Sequence, residues 1–201
     1  MNKAISSFSI FLISASVILS SCTNDKNAQK KSEEVTIERV FRNWRENAVI
    51  QGDFCPKDSC TSSYFSKHKK NTKLGEGLGL PDTNKFHFMF ADLNDDKQLD
   101  ALVTFHPVCC TCNDTTGKVV PQAQVIILSS KNGYTSDNTF FDHLFADSLS
   151  INIDIDSVSA NKFYGTYFKI GKQDTSVEQY QKSISIAFDT KKIKFISRKK
   201  K

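Results

Sequence analysis

The chain has 201 residues, a formal net charge of +5, six cysteines and sixteen phenylalanines, but a single tryptophan. This length is enough for one domain with a hydrophobic core and too short for several domains of ordinary size. The charge excess is modest, and its densest part is the terminal run Arg198–Lys201. The wide basic face of a nucleic-acid-binding protein is therefore not predicted, and we expect no nucleic-acid partner.

The first segment has the pattern of a secretory signal. A basic residue, Lys3, precedes an apolar run over 4–19, and the small residues Ser20 and Ser21 come directly before Cys22. A basic start, an apolar run and small residues at a cut site mark a cleaved export signal. The run is too short and too rich in serine for a typical transmembrane helix.

The tetrapeptide Leu19-Ser20-Ser21-Cys22 resembles the lipobox of bacterial lipoproteins. The resemblance implies that residues 1–21 are a signal peptide and that Cys22 becomes a lipidated first residue, with a diacylglyceryl thioether and a further acyl chain such as palmitate. Two or more acyl chains anchor a protein stably. The expected location is the bacterial cell envelope, outside the cytoplasm, on the inner or the outer membrane. A simple signal peptide with a coincidental cysteine, or an uncleaved anchor, is the alternative.

The next segments predict a tether and then a helix. Residues 22–32 are polar and lack periodicity, which predicts a flexible tether. Ser32 is expected to cap a helix whose apolar residues recur at helical spacing over 35–48. Gly52 tolerates a left-handed backbone, so the helix is expected to end there.

From residue 85 onwards the pattern changes to strands. Alternation or a short apolar run predicts them in segments 86–90, 101–108, 122–128, 151–156, 161–170, 183–188 and 192–196. One helix followed by about six or seven strands predicts a single globular α+β domain over 33–201, with the helix packed on a curved antiparallel sheet. The many phenylalanines are expected in its core. Asp154 and Asp156 are expected at exposed positions of an amphipathic strand.

An acidic loop, Asp92–Asp100, lies between two of the predicted strands. Calcium takes six to eight oxygen ligands. The predicted ligands are the side chains of Asp92, Asn94, Asp96 and Asp100 and the backbone carbonyl of Gln98. The spacing D-x-N-x-D-x-x-x-D resembles the calcium loops of FG-GAP and VCBS-type proteins, over these nine residues and the flanking strands. Lys97 stands where that pattern has glycine, and a positive φ there would cost about 1 kcal/mol. An acidic turn without an ion is the alternative.

Five cysteines remain beyond Cys22 as disulfide candidates: Cys55, Cys60, Cys109, Cys110 and Cys112. An oxidising compartment favours disulfides, and an odd number leaves at least one thiol unpaired or paired between molecules. A local Cys55–Cys60 bridge and bridges from either residue to the cluster Cys109–Cys112 are both open. The alternative is that His106 and this cluster bind zinc or copper(I), or perform thiol redox chemistry.

No catalytic residue is predicted, because the chain contains neither G-x-S-x-G nor H-E-x-x-H, and its glycine-rich segment lacks the lysine and spacing of a phosphate loop. The sequence predicts a membrane-anchored, non-catalytic binding or accessory domain, whose partner is an envelope protein or a small ligand. Structural calcium is the one cofactor expected. The alternative function is a metal-handling or thiol-redox protein that uses His106 and Cys109–Cys112.

Overall fold

The computed structural model describes residues 22–56, 60–61, 63, 77–110, 120–142, 151–170, 177–189 and 193–195, so the predicted signal peptide lies outside the described residues. One helix, α1 (Cys22–Ile50), is followed by the strands β1 (Leu78–Gly79), β2 (His87–Ala91), β3 (Asp100–Phe105), β4 (Val108–Cys109), β5 (Ala123–Ser130), β6 (Gly133–Asp137), β7 (Ile151–Ser159), β8 (Lys162–Ile170), β9 (Val177–Ala187) and β10 (Ile193–Phe195). Within the described part of the chain, no helix is long and apolar enough to span a membrane.

Helix α1 starts ten residues earlier than predicted, at Cys22, so the expected N-cap at Ser32 is wrong. Ser32 lies inside the helix, where its carbonyl accepts a hydrogen bond from the Thr36 hydroxyl at 3.0 Å. The preceding residues include strong helix formers and no glycine or proline, and the Gln29 amide donates to the Glu33 carboxylate at 3.0 Å. The segment 22–32 is thus helical instead of an irregular tether; the division into signal peptide, tether and domain stays a prediction.

The other end of α1 and its buried face follow the sequence pattern. The helix ends at Ile50, and Gly52 adopts the predicted left-handed backbone with φ of 78°. Ile37, Phe41 and Ala48 are buried at helical spacing, and they join a core cluster with one face of a sheet. The apolar periodicity over 35–48 therefore identified the packing face correctly.

The sheet beneath α1 has the strand order β2-β3-β5-β6, with all neighbours antiparallel. Its strand β3 is buried along its whole length. Ala101, Val103 and Phe105 pack towards the helix, whereas Leu102 packs on the opposite face. Because both faces of β3 are covered, Ala101, Leu102 and Val103 form a continuous apolar run, and the polar residues Asp100 and Thr104 on either side of it are buried too.

A second four-stranded antiparallel sheet, of order β10-β9-β8-β7, covers that opposite face. The predicted strands 151–156 and 161–170 pair as β7 and β8, and the predicted strands 183–188 and 192–196 pair as β9 and β10. The core between the two sheets contains Leu102 and Ile126 from one side and Ile153, Phe163 and Ile186 from the other. The α+β class with antiparallel pairing is therefore confirmed, but the single sheet of six or seven strands is wrong. The helix α1 and two four-stranded sheets form three layers, and β1 and β4 pair in a further, two-stranded sheet.

Strand β7 departs from simple alternation at a bulge between Ile155 and Ser157. The bulge puts Asp156 in an exposed position, while Asp154 is half-buried. Burial raises the pKa of Asp154, against the opposing effect of nearby His106. The prediction that both carboxylates are exposed is thus correct for Asp156 and wrong for Asp154.

Candidate functional site

A cleft of about 540 Å³ lies beside the C-terminal part of α1 and the start of β5. Its lining residues are Trp44, Gln51, Asp53, Phe54, Leu78, Pro107, Pro121, Gln122, Ala123, Gln124, Val125, Asn138, Thr139 and Asp142. The volume is within the range of small-molecule sites, which are commonly about 300–1,000 Å³. We therefore assign this cleft as the candidate binding site of the described chain.

The apolar wall of the cleft belongs to the aromatic core under α1. Trp44 stacks on Phe41 with ring centroids 5.4 Å apart and meets Phe54 edge-on at 6.1 Å. Trp44 is half-buried, so part of its indole faces the cleft while the rest is fixed by neighbours. A ring held in this way presents apolar surface at little further cost in side-chain entropy.

A polar wall is formed by two glutamines near the start of β5. The Gln122 amide oxygen accepts from the Ile155 backbone N–H at 2.8 Å, and the Gln124 amide donates to the Ile153 carbonyl at 2.8 Å. Both side chains therefore connect the cleft to the second sheet. The exposed Asn138 lies farther along the lining. The cleft walls are fixed before any ligand arrives.

The charges of the lining define what it can bind. Asp53 and Asp142 contribute carboxylates, and no Lys, Arg or His is among the lining residues of the described chain. A phosphate or carboxylate ligand would bring negative charge close to these two carboxylates. Amides and carboxylates supply both donors and acceptors, which suits uncharged ligands with several hydroxyl or amide groups.

The acidic loop curls in the way that its spacing predicts. Asp92 accepts a hydrogen bond on each carboxylate oxygen, from the Asp96 N–H at 3.1 Å and from the Lys97 N–H at 2.8 Å. Asp95 and Lys97 both have positive φ, of 60° and 68°. Lys97 therefore adopts the left-handed backbone expected at the usual glycine position, and the Asp92 hydrogen bonds hold it there.

Asp100, at the end of the loop, is fully buried with 0 % of its surface exposed. Its carboxylate accepts from the Leu93 N–H at 2.8 Å and from the Ser129 N–H and hydroxyl, each at 2.7 Å. Burial raises the pKa of Asp100; the hydrogen bonds from Ser129 and Leu93 oppose this rise, and the nearby Asp96 charge adds to it. Asp100 thus joins the acidic loop to the end of β5.

The Ser129 hydroxyl also lies 2.8 Å from the Asp96 carboxylate, so two carboxyl groups share one hydroxyl proton. A hydroxyl donates one hydrogen bond at a time. For Asp96, burial raises the pKa, but hydrogen bonds from the Gln98 N–H, the Ser129 hydroxyl and the Asn94 amide outweigh it and hold the pKa below its ordinary value. Of the two groups that share the proton, Asp100 is therefore the more readily protonated.

The predicted calcium ligands lie together in one loop. Asp92, Asn94, Asp96 and Asp100 bring oxygen donors into it, and Gln98 belongs to the same turn. Their side-chain oxygens accept hydrogen bonds from the loop and from Ser129. Across the described residues, no three His, Cys, Asp or Glu side chains are arranged to hold a metal ion. Calcium binding stays a prediction.

Thermal unfolding in excess calcium and in EDTA tests the calcium prediction. An ion that binds only the folded chain stabilises it by mass action, by about 2.7 kcal/mol at one hundred times the dissociation constant. The prediction therefore requires a higher unfolding temperature in calcium, and this increase should disappear in Asp96→Asn. Equal temperatures in calcium and EDTA would contradict it.

The cysteines form one bridge between distant segments. Cys60 and Cys110 are joined by a disulfide across a sequence separation of 50, whereas Cys55 is a buried free thiol. The bridge to the 109–112 cluster is thus the one found, and the local Cys55–Cys60 bridge is not. Cys109 is also disulfide-bonded, and Cys112 lies outside the described residues.

These disulfides bear on the alternative metal site at His106. A cysteine binds zinc or copper(I) as a thiolate, but the sulfurs of Cys109 and Cys110 are both in disulfides. The His106 ring nitrogen Nδ1 lies 3.4 Å from the Val120 carbonyl oxygen. The structure therefore does not assemble the predicted set of thiolates with an imidazole.

The predicted lipidation site lies in a region that the structure describes only in part. Cys22 belongs to α1, but its side chain lies outside the described part, as does the rest of the lipobox.

The cleft was not predicted from sequence, since its walls come from segments that only the fold brings together. The single tryptophan was the one sequence signal that could have drawn attention to Trp44.

Comparison of the chain with protein-family models, with curated proteins and with solved structures found no match.

Proposed function

We propose that this chain is a lipid-anchored, non-catalytic binding domain of the bacterial cell envelope. In this proposal Cys22 carries the lipid, and the cleft beside α1 binds a small uncharged polar ligand. The observation that carries the proposal is the cleft itself, with aromatic, amide and carboxylate groups in its lining and no lining Lys, Arg or His among the described residues.

The chemistry of the lining favours a saccharide-like ligand of one or two rings. Sugar hydroxyls can donate to the Asp53 and Asp142 carboxylates and can accept from the Asn138 amide. The C–H faces of a sugar ring are apolar enough to lie against the exposed part of Trp44. A phosphorylated sugar would bring negative charge against the two carboxylates, so it is expected to be excluded.

The continuous helix separates the cleft from the anchor. Cys22 and Trp44 lie 22 positions apart on α1, which corresponds to about 33 Å at the helical rise of 1.5 Å per residue. This spacing is comparable to the hydrocarbon thickness of a bilayer, about 30 Å. An upright α1 would therefore hold the cleft clear of the lipid headgroups, where soluble ligands have access.

Trp44 is the single tryptophan of the chain and lines the cleft, so its fluorescence reports directly on occupancy. The full chain in detergent is titrated with neutral mono- and disaccharides, and glucose is paired with glucose 6-phosphate. We expect a saturable change in emission with at least one neutral saccharide. No change is expected with the phosphorylated partner, because its phosphate would lie close to the Asp53 and Asp142 carboxylates.

Two exposed asparagines give a matched control. Asn138→Ala removes an amide from the cleft lining, and Asn132→Ala removes one from the turn between β5 and β6. The first is expected to weaken binding about five- to twelvefold, which corresponds to a lost hydrogen bond of about 1–1.5 kcal/mol; the second should not weaken it. A flat titration with every neutral saccharide, or equal binding of glucose 6-phosphate, would refute the proposed ligand class.

A further inference from the structure

Three cysteines meet where the chain after α1 contacts the short β1–β4 ribbon. Cys55, which is 1 % exposed, packs in one cluster with Cys60 and Cys110. The Cys55 backbone N–H donates to the Leu78 carbonyl at 2.7 Å, and the Cys55 backbone pairs with Gly79 of β1 in a parallel β-bridge. The free thiol therefore lies against the Cys60–Cys110 disulfide and is fixed there by backbone hydrogen bonding.

Gly79 leaves room for the Cys60–Cys110 disulfide beside β1. A Cβ atom at this position would lie 2.5 Å from the Cys60 sulfur and 3.3 Å from the Cys110 sulfur. Any larger residue would push the disulfide away from the strand. The backbone of β1 thus lies directly against the disulfide.

We propose that Cys55, Cys60 and Cys110 form an internal thiol–disulfide exchange site. The Cys55 sulfur attacks the Cys110 sulfur, a Cys55–Cys110 bond forms, the Cys60–Cys110 bond breaks, and Cys60 leaves as the thiolate. The proton lost by Cys55 is balanced by the proton that Cys60 takes up. One disulfide and one thiol are present before and after, so no external oxidant or reductant is needed.

The exposures of the three residues set the direction of attack. Cys55 and Cys110 are buried, whereas Cys60 is half-buried. A departing thiolate is better stabilised where water reaches it, so Cys60 is the better leaving group and Cys110 the sulfur that is attacked. The exchange therefore moves the free thiol from the interior to the surface of the domain.

Burial keeps the starting state inactive. Desolvation raises the pKa of the Cys55 thiol, so little of the attacking thiolate is present. Once Cys60 is released, its thiol can be alkylated or can form a mixed disulfide with a thiol-bearing partner. The resting protein thus stores an inaccessible thiol that the exchange converts into an accessible one.

Alkylation of the folded chain tests this exchange. The full chain, purified in detergent without reductant, is incubated with iodoacetamide at about pH 8, where a cysteine near its ordinary pKa is partly ionised, and is mapped as unreduced peptides over time. We expect alkylated Cys60 to accumulate together with a peptide pair linked through Cys55 and Cys110. In Cys55→Ser, Cys60 should stay unmodified and linked to Cys110.

Three outcomes would overturn the proposal. The first is alkylation of Cys55 while the Cys60–Cys110 link persists, because the buried thiol would then react directly. The second is alkylation of Cys60 at the wild-type rate in Cys55→Ser. The third is a wild-type Cys60–Cys110 link that remains complete until the chain is unfolded. The wild-type map alone decides the first and third, so a folding defect in the variant does not affect them.

Discussion

Replacing Asp100 with alanine is expected to lower the free energy of unfolding by roughly 2–6 kcal/mol, since two buried N–H groups lose their acceptor and each costs about 1–3 kcal/mol. These groups are the backbone N–H of Leu93 and that of Ser129. Loss of the Ser129 hydroxyl contact adds to the effect. Chemical denaturation of the variant and the wild type measures the difference.

A matched control separates this effect from the loss of any carboxylate. Asp156 is exposed at the β7 bulge, so Asp156→Ala is expected to change stability by less than about 0.5 kcal/mol. A loss in Asp100→Ala no larger than that of Asp156→Ala would show that Asp100 does not hold the loop to β5.

The titration of Asp100 gives this prediction a pH dependence. Burial raises the pKa of Asp100 in the folded state above its ordinary value. Protonation of Asp100 therefore stabilises the folded state, and this contribution to the free energy of unfolding is complete below the ordinary aspartate pKa of about 3.9. The contribution is lost as the pH rises through the higher pKa of the folded state. The advantage of the wild type over Asp100→Ala should therefore be larger at acid than at neutral pH. An advantage that grows towards neutral pH would contradict the raised pKa.

Cys22→Ser is expected to abolish lipid labelling and to release the protein from membranes. Serine cannot form the thioether that the lipobox resemblance implies. Labelling with radioactive palmitate and fractionation of washed membranes measure the two effects. Cys55→Ser, which removes a buried thiol 33 positions after Cys22 in the sequence, should keep both lipid and membrane association. Tight membrane association of Cys22→Ser would contradict the lipobox interpretation.

The fold was predictable where one face of an element determines its pattern. The helical spacing from Ile37 to Ala48 and the alternation along β7 identified a helix and a strand correctly. The layering was missed because the short run Ala101–Val103 of β3 is apolar throughout, and such a run gives no sign of how many layers cover it. The helical segment before Ser32 was missed because an exposed helix needs no apolar face.

The acidic loop shows which contacts can be predicted from the local spacing of residues and which cannot. The positions of Asp92 and Asp96 indicated a loop that curls on itself, whereas the left-handed backbone of Lys97, which stands at the usual glycine position, was named only as a cost. The partner of Asp100 is Ser129, which lies 29 positions away and is brought near only by the pairing of β3 with β5. The cleft depends on such distant contacts even more, since Trp44 and Asn138 line the same space although they are far apart in the sequence. Local patterns carry no information on such contacts.

The mass of the N-terminal peptide from the native, membrane-extracted protein tests the central claim most directly. A lipid-anchored domain predicts a peptide that begins at Cys22 and carries the mass of a diacylglyceryl group and a further acyl chain. A peptide that begins at Met1, or an unmodified Cys22 thiol, would contradict it.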